Sequence, residues 1–297
     1  MFEAAFVKYV APYFRSLPEE VPRSKAAHRF LAGLQWIHCA PTKDQVKRAT
    51  GLCYTTLLSK VYPLLEHLAD VMNEVHWEDR LHEMNHTATF PSVVTTVVDT
   101  AFVAIADCRD RDYAALFFSG KYHATGVKLE VTSNLMGHIV DFEFPCALGG
   151  SNDHTIHNAR VRSGEKRFLD WELCLGDGIY FGADHILAKF PRNYNDVKLR
   201  RGGHDIVIKM PLTPEQAAAG REISHDRQRI EHTVGLLNRH RLFRQAWSGH
   251  MGPLTWAMHV TCHLTNMKVR MLGINGTAAN GYSRYSDVIG PWPHDGN

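Results

Sequence analysis

An almost unbroken run of β-branched residues at 92–99, SVVTTVVD, constrains the fold of this 297-residue chain most strongly. β-Branched side chains favour strands, and a strand that is apolar on both faces is typical of the centre of a parallel or mixed sheet. The run ends on Asp99. A carboxylate at the end of a buried strand costs desolvation free energy unless another group compensates for it. Asp99 is therefore a candidate functional residue.

The chain beyond this run predicts further strands and then a long helix. Residues 126–132 and 138–144 alternate as two strands around a turn, and residues 173–175 form a short strand that leads into Asp177 within a glycine turn. After a Pro- and Arg-rich connection at 190–205, the capping box TPEQ at 213–216 begins a helix that runs to about Arg239, with a break near Gly220. Strands followed by helices predict an α/β layered domain.

The N-terminal part of the chain has helical patterns instead. A capping box at 42–45 precedes a short helix, and Gly51 stands where a helix-turn-helix needs positive φ. The next helix would expose Tyr54 and Lys60 on a face that meets DNA; a helical hairpin with no DNA contact fits the same pattern. The composition changes near Thr87, which divides the chain into a helical region at 1–87 and a second domain at 88–297.

Composition excludes several classes of protein. The net charge is only +2, so total charge gives no argument for nucleic-acid binding, but residues 221–244 contain six arginines and three acids. The six cysteines form no CxxC pair, which favours a reducing compartment over a zinc or disulfide framework. No apolar run approaches the roughly 20 residues of a membrane-spanning helix. The N-terminus predicts no signal peptide, and there is no basic nuclear-import run.

Three carboxylates form a candidate metal site. Asp99 and Asp177 would repel each other on neighbouring strands, and a divalent cation resolves that conflict. Glu231 flanks the apolar stripe of the late helix, four residues after Arg227, from which it can reach the edge of the sheet. Oxygen ligands suit Mg²⁺ or Mn²⁺, and two ions about 3.5–4 Å apart would promote in-line phosphoryl transfer. A strand-terminal Asp is also common as a plain turn residue or helix cap.

Six motifs follow one another along residues 97–243. They are, in order, VVDTAFVAI at 97–105, FFSGKYHATGVKLEVTSNLMGHIVDF at 117–142, LGGSNDHTIHNA at 148–159, LGDGIYFG at 175–182, MPLTPEQ at 210–216 and ISHDRQRIEHTVGLLNRHRLF at 223–243. In this order they resemble the catalytic domain of PIF/Harbinger-type DDE transposases. Three positions depart from the family's pattern: Thr100 replaces a glycine, Asn238 replaces a basic residue, and the segment at 150–153 is one residue shorter.

The resemblance implies an RNase H-like fold, a mixed sheet flanked by helices and preceded by a small helix-turn-helix-like domain. It implies Asp99, Asp177 and Glu231 as the catalytic, metal-binding triad for two Mg²⁺ (or Mn²⁺) ions. Such an enzyme cuts double-stranded DNA at transposon ends and joins them to target DNA, as a homo-oligomer, with a Myb-like accessory protein. We expect it in the nucleus, in the cytoplasm until recruited, or in the cytoplasm of a prokaryotic host, and not in a membrane. The expected DNA contacts are Tyr54, Lys60, Lys121, Arg227, Arg239 and Arg241.

Two alternatives stay open from the sequence. The three departures are compatible with a domesticated derivative that binds DNA or a protein partner without cutting. Residues 82–86, HEMNH, match the HExxH signature of zinc hydrolases, in which two histidines on one helical face bind zinc. No convincing third zinc ligand accompanies that motif, and a helix end with histidines in its last turn is the simpler interpretation.

Overall fold

A mixed β-sheet built around β1 (Val94–Ala104) organises the protein. The computed structural model describes residues 1–39, 43–51, 53–81, 93–106, 111–188, 194–201 and 204–272. The other strands of the sheet are β2 (Phe118–Ser119), β3 (Ala124–Asn134), β4 (Ile139–Leu148), β5 (Leu173–Gly176) and β6 (Ile186–Ala188).

The sheet is antiparallel on one side of β1 and parallel on the other. β3 pairs with β1, β2 and β4 in antiparallel register. β5 pairs with β1 in parallel, and β6 pairs with β5 in parallel. This order, β4-β3-β1-β5-β6, is compatible with an RNase H-like domain of the DDE type. The strands predicted at 126–132, 138–144 and 173–175 are confirmed within β3, β4 and β5.

Helices precede the sheet, follow it and cover both of its faces. A continuous helical segment joins α1 (Phe2–Ala5), a π-helical turn at Phe6–Val10 and α2 (Ala11–Ser16). The remaining α-helices are α3 (Arg23–Cys39), α4 (Lys43–Thr50), α5 (Tyr54–Val71), α6 (Arg111–Phe117), α7 (Asp153–Arg162), α8 (Pro214–Leu237) and α9 (Met251–Leu272). Short 3₁₀ turns lie at Trp77–Leu81, Gly178–Tyr180 and Arg241–Phe243. No helix in the described ranges is long and apolar enough to cross a membrane.

One face of the sheet is packed by apolar side chains, and the other carries buried ion pairs. On one face α8 packs against β1, β3 and β5, and α9 packs against β4, α5 and α8. One apolar core connects this face with the N-terminal helices, from Phe6 and Trp36 to Val97 and Ile230. On the other face, Glu130 and Lys166 form a fully buried ion pair, and Arg160 bonds both Glu130 and Asp141. A buried charge needs such partners to offset its lost hydration.

Several local predictions need correction. β1 does not end at Asp99 but continues to Ala104, because β3 pairs with it as far as the Ala104–Gly126 position. α8 has no break at Gly220. The segment predicted as a connection at 190–205 contains most of an antiparallel hairpin, β7 (Tyr194–Arg201) and β8 (His204–Pro211).

Two helix signals in the sequence have different outcomes. The Thr213 capping box is confirmed, since the Thr213 hydroxyl accepts from the Gln216 N–H and the Gln216 amide accepts in return. Gly51 has a φ of +69°, as the turn between α4 and α5 requires. Thr42 and the HEMNH motif at 82–86 lie outside the described residues.

Buried neutral histidine makes the fold sensitive to acid. His263 on α9 is buried, and its Nδ1 accepts a hydrogen bond of 3.0 Å from the Glu74 N–H. Burial and the neighbouring His259 lower the pKa of His263 to about 4. In the unfolded chain the same imidazole takes up a proton near its ordinary pKa of about 6.5.

The free energy of unfolding should therefore fall as the pH drops from about 6.5 towards 4, with His263 contributing up to about 1.4 kcal/mol per pH unit. Urea unfolding across this range measures the slope. His263→Gln should flatten it, whereas replacing the exposed His250 in the same way should not. Equal slopes for the wild type and His263→Gln would contradict the assignment.

Candidate active site

The pairing of β1 with β5 brings two aspartates side by side. Val97 on β1 is level with Leu175 on the parallel strand β5. Two residues further along the chain are Asp99, within β1, and Asp177, the first residue after the end of β5, and neighbouring strands are only about 4.8 Å apart. Because side chains alternate between the faces of a sheet, Asp99 lies on the same face as Val97 and Ala101, which is the face that α8 covers. The register of β1 and β5 therefore supports the expectation that these two aspartates are neighbours.

Each aspartate is also held by a local hydrogen bond. The Asp99 carboxylate accepts from the Thr100 N–H at 2.9 Å. Asp177 caps the 3₁₀ turn that follows β5, and its carboxylate accepts from the Ile179 N–H at 2.8 Å. Each bond fixes one oxygen of its carboxylate. Asp177 is therefore a helix cap, which the sequence left open as an alternative to metal binding. A carboxylate can fill both roles.

The electrostatic environment of Asp99 opposes its ionisation. Burial raises the pKa of Asp99 above its ordinary value, and the nearby charge of Asp177 raises it further. The Thr100 N–H, Arg227 and Lys121 act in the opposite direction but do not cancel the effect of burial. Two carboxylates that disfavour each other's charge in a partly buried position are typical of a cation site or an acid–base site.

Arg227 lies between this pair and Glu231. It is buried on α8, acts electrostatically on Asp99, and places its Nη1 3.9 Å from the Glu231 carboxylate. Its Nε is buried without a hydrogen-bond partner. Glu231 itself is 56% exposed and points towards Arg227. Within the described ranges, no three His, Cys, Asp or Glu side chains are grouped as a metal site.

The residues predicted to contact DNA have different surroundings. Lys121, in the turn between β2 and β3, is exposed and close enough to Asp99 and Asp177 to interact with their charges. Arg239 and Arg241 are exposed just beyond α8, and Arg239 lines a cleft of about 490 Å³ together with Arg244. On α5, Lys60 is exposed, whereas Tyr54 is half-buried against the apolar core.

Sequence reasoning missed the support behind the aspartates. The fully buried Tyr180 hydroxyl and the Thr100 Oγ1 lie 2.7 Å apart on the face of the sheet opposite Asp99. Thr100 follows Asp99 directly, and Tyr180 ends the turn that Asp177 caps. This hydrogen bond therefore connects the two segments that carry the aspartates. The only signal in the sequence was that Thr100 replaces a glycine of the resembled family.

The chain belongs to the DDE superfamily endonuclease family, whose model matches residues 98–266, more than half of the sequence. The match begins one residue before Asp99 and includes Asp177 and Glu231. Membership indicates a nuclease or transposase with DNA as its substrate, in a family that typically uses divalent metal ions. No curated protein and no solved structure matches the chain.

The raised pKa of Asp99 has a consequence for stability. Because the pKa of Asp99 is raised in the folded state, its ionised form opposes folding at neutral pH. Asp99→Asn keeps an oxygen for the Thr100 N–H and removes the charge. We expect it to raise the free energy of unfolding at pH 7 without divalent ions.

Denaturant unfolding measures this difference, which should shrink as the pH falls through the folded-state pKa and disappear only below the unfolded-state value of about 3.9, where the carboxyl is protonated in both states. Asp170→Asn, at an exposed position, is the matched control and should change stability by less than about 0.5 kcal/mol. A destabilised Asp99→Asn would show that the carboxylate supports the fold rather than strains it.

Proposed function

We propose that the protein is a DDE transposase of the PIF/Harbinger type, which cuts phosphodiester bonds at transposon ends and joins them to target DNA. The observation that carries the proposal is the parallel β1–β5 register, which makes Asp99 and Asp177 neighbours in a chain of the endonuclease family. The mixed sheet with helices on both faces supports an RNase H-like catalytic domain, proposed to begin near residue 88.

The two aspartates fit a divalent cation. Both ligands are carboxylate oxygens, which Mg²⁺ and Mn²⁺ prefer. The upward pKa shift of Asp99, caused by burial and by Asp177, is the strain that a bound cation relieves. Asp99 and Asp177 would hold the metal, and Glu231 is the proposed third ligand, reaching it from α8 by leaving Arg227. When bound, a pair of such ions activates the attacking oxygen and stabilises the leaving oxygen of an in-line displacement.

The basic side chains around the site have separate roles in this proposal. Arg227 is already buried, so we assign it to balance the carboxylate charges rather than to contact DNA directly. Lys121 lies at the exposed side of the aspartate pair, where it can contact the phosphate that is attacked. Arg239 and Arg244 line the cleft beyond α8, and Arg241 lies between them in sequence; this surface is proposed to follow the DNA backbone.

The broader cellular role extends the same proposal. Helices α4 and α5 with the Gly51 turn support a DNA-contacting role for the N-terminal region at 1–87, through Lys60. An active homo-oligomer, a Myb-like accessory protein and a nuclear location belong to the PIF/Harbinger type and are proposed on that basis. The rival is a silent derivative that binds DNA without cutting, which the present pairing of Glu231 with Arg227 would suit.

Cleavage of DNA that carries the ends of the encoding element tests the proposal. Wild-type protein should cut it with Mg²⁺ or Mn²⁺, and Asp177→Asn should lower the rate at least 100-fold, because one metal ligand is lost while the Ile179 N–H keeps its acceptor. Glu231→Gln should have a comparable effect. Glu222→Gln, at an exposed position of the same helix, is the matched control and should cut normally.

The possible results separate the rivals. Cutting by Asp177→Asn at the wild-type rate would contradict the assignment of the metal ligands. DNA binding by the wild type with no cutting in either ion would favour the silent derivative. Stoichiometric zinc that is lost on His82→Ala would instead favour a zinc hydrolase built on residues 82–86.

A further inference from the structure

The pairing of β1 with β5 ends before it reaches the two aspartates. Within these two described strands, the last paired position joins Val97 to Leu175, and β5 itself ends at Gly176. On its other side, β1 stays paired with β3 through Asp99 and beyond, so the path of Asp99 is fixed by that strand. Asp177 lies past the end of β5, where pairing with β1 no longer determines its position.

Three contacts of Tyr180 hold the turn that contains Asp177. The Tyr180 N–H donates to the Asp177 carbonyl oxygen at 3.1 Å. A Cβ added to Gly176 would lie 2.9 Å from the Tyr180 Cβ, which is too close for a side chain, so Tyr180 packs directly on the residue before Asp177. The Tyr180 ring also meets the buried His157 ring edge-on, with centroids 6.0 Å apart. Tyr180 is therefore fixed relative to Asp177.

The Tyr180 hydroxyl reaches across to β1. It lies 2.7 Å from the Thr100 Oγ1, on the face of the sheet opposite Asp99. The Thr100 N–H in turn donates to the Asp99 carboxylate at 2.9 Å. One continuous series of bonds thus runs from the Asp99 carboxylate through Thr100 and Tyr180 to the Asp177 backbone. It joins the two aspartates at the level where strand pairing has already ended.

We propose that Thr100 and Tyr180 are positioning residues, which set the separation of Asp99 and Asp177 for a bound divalent cation. Two carboxylates repel each other when no cation lies between them, and that repulsion acts to push the turn at Asp177 away from β1. A directional hydrogen bond between two buried side chains opposes this movement. The proposal rests on the proposed function, since it assumes that the two aspartates hold a metal.

The two hydroxyl groups differ in what can replace the bond between them. Tyr180 is fully buried and packs with Val98 and Cys174, whereas Thr100 lines a surface cleft of about 310 Å³ that water can enter. Tyr180→Phe therefore leaves a threonine hydroxyl that water can satisfy. Thr100→Val leaves a tyrosine hydroxyl buried without a partner, which is the costlier defect. Urea unfolding should accordingly show a larger loss of stability for Thr100→Val than for Tyr180→Phe.

Binding of Mn²⁺ to the purified protein without DNA tests the positioning role. Tyr180→Phe and Thr100→Val should each raise the Mn²⁺ dissociation constant about 3- to 10-fold, which corresponds to one hydrogen bond. The double variant should bind no more weakly than either single variant, because all three lack the same bond. Thr100→Ser keeps the hydroxyl and should bind as the wild type does. If Thr100→Val does not fold, Tyr180→Phe and Thr100→Ser decide the result.

Cleavage of DNA separates positioning from a general folding defect. Tyr180→Phe should raise the Mg²⁺ concentration for half-maximal cutting about 3- to 10-fold, while the rate at saturating Mg²⁺ falls much less. Tyr9→Phe is the matched control, since Tyr9 is also buried and its hydroxyl donates to Asn73 and Glu74, away from the aspartates. It should lower stability and leave both metal dependences unchanged.

The failures of the two proposals are distinguishable. If the wild type neither binds Mn²⁺ through Asp99 and Asp177 nor cuts DNA, the proposed function fails and the positioning role fails with it. If the wild type binds Mn²⁺ through the aspartates and Tyr180→Phe binds equally well, the positioning role is wrong while the metal site stands. Additive losses in the double variant, or an equal loss in Tyr9→Phe, would likewise overturn it.

Discussion

The parallel pairing of β1 with β5 is the constraint on which the rest of the site depends. It brings the two segments that carry Asp99 and Asp177 next to each other, with Asp99 on the largely apolar face that α8 covers. Such an arrangement is unfavourable for the fold alone, because each charge loses hydration and repels the other. The protein tolerates it by surrounding the pair with local N–H donors, a buried arginine and a lysine at the rim. We propose that a bound cation relieves this unfavourable electrostatic interaction.

The two faces of the sheet hold this pair in place by different interactions. The apolar face anchors α8, and with it Arg227 and Glu231, through Ile223, Ile230 and Leu237. The opposite face is held by hydrogen bonds and ion pairs, among them the Thr100–Tyr180 bond and the Glu130, Lys166 and Arg160 cluster. Polar networks of this kind have directional geometry, so they fix strand register more sharply than apolar packing does. Hydrogen bonds and ion pairs on one face of the sheet, and helix α8 on the other, thus position the segments that carry the aspartates.

Local signals in the sequence were sufficient for much of this architecture. The β-branched run, the alternation in β3 and β4 and the Thr213 capping box each depend on neighbouring residues, and each matches the structure. The extent of β1 past Asp99 was missed because it depends on pairing with β3, which lies more than 20 residues further on. The burial of Arg227 and the exposure of Glu231 depend on how α8 lies across the sheet, which helical periodicity alone does not specify.

The hairpin of β7 and β8 and the Thr100–Tyr180 bond show two other limits of local reasoning. Arginine and proline around 190–205 indicated a connection, yet the Gly-Gly at 202–203 between two β-prone runs is a hairpin signal of the kind that outweighs them. The Thr100–Tyr180 bond joins residues 80 positions apart, and only the fold brings them together. Departures from a family's pattern, such as Thr100, are where such contacts are best sought.

We propose that Asp99 and Asp177 together form a divalent-cation site. Titration of the purified protein with Mn²⁺, followed by electron paramagnetic resonance of the free ion, measures binding without any assumption about the DNA substrate. We expect saturable Mn²⁺ binding that is competed by Mg²⁺ and is lost in both Asp99→Asn and Asp177→Asn, while Asp170→Asn binds as the wild type does. Unchanged Mn²⁺ binding in the two aspartate variants would contradict it.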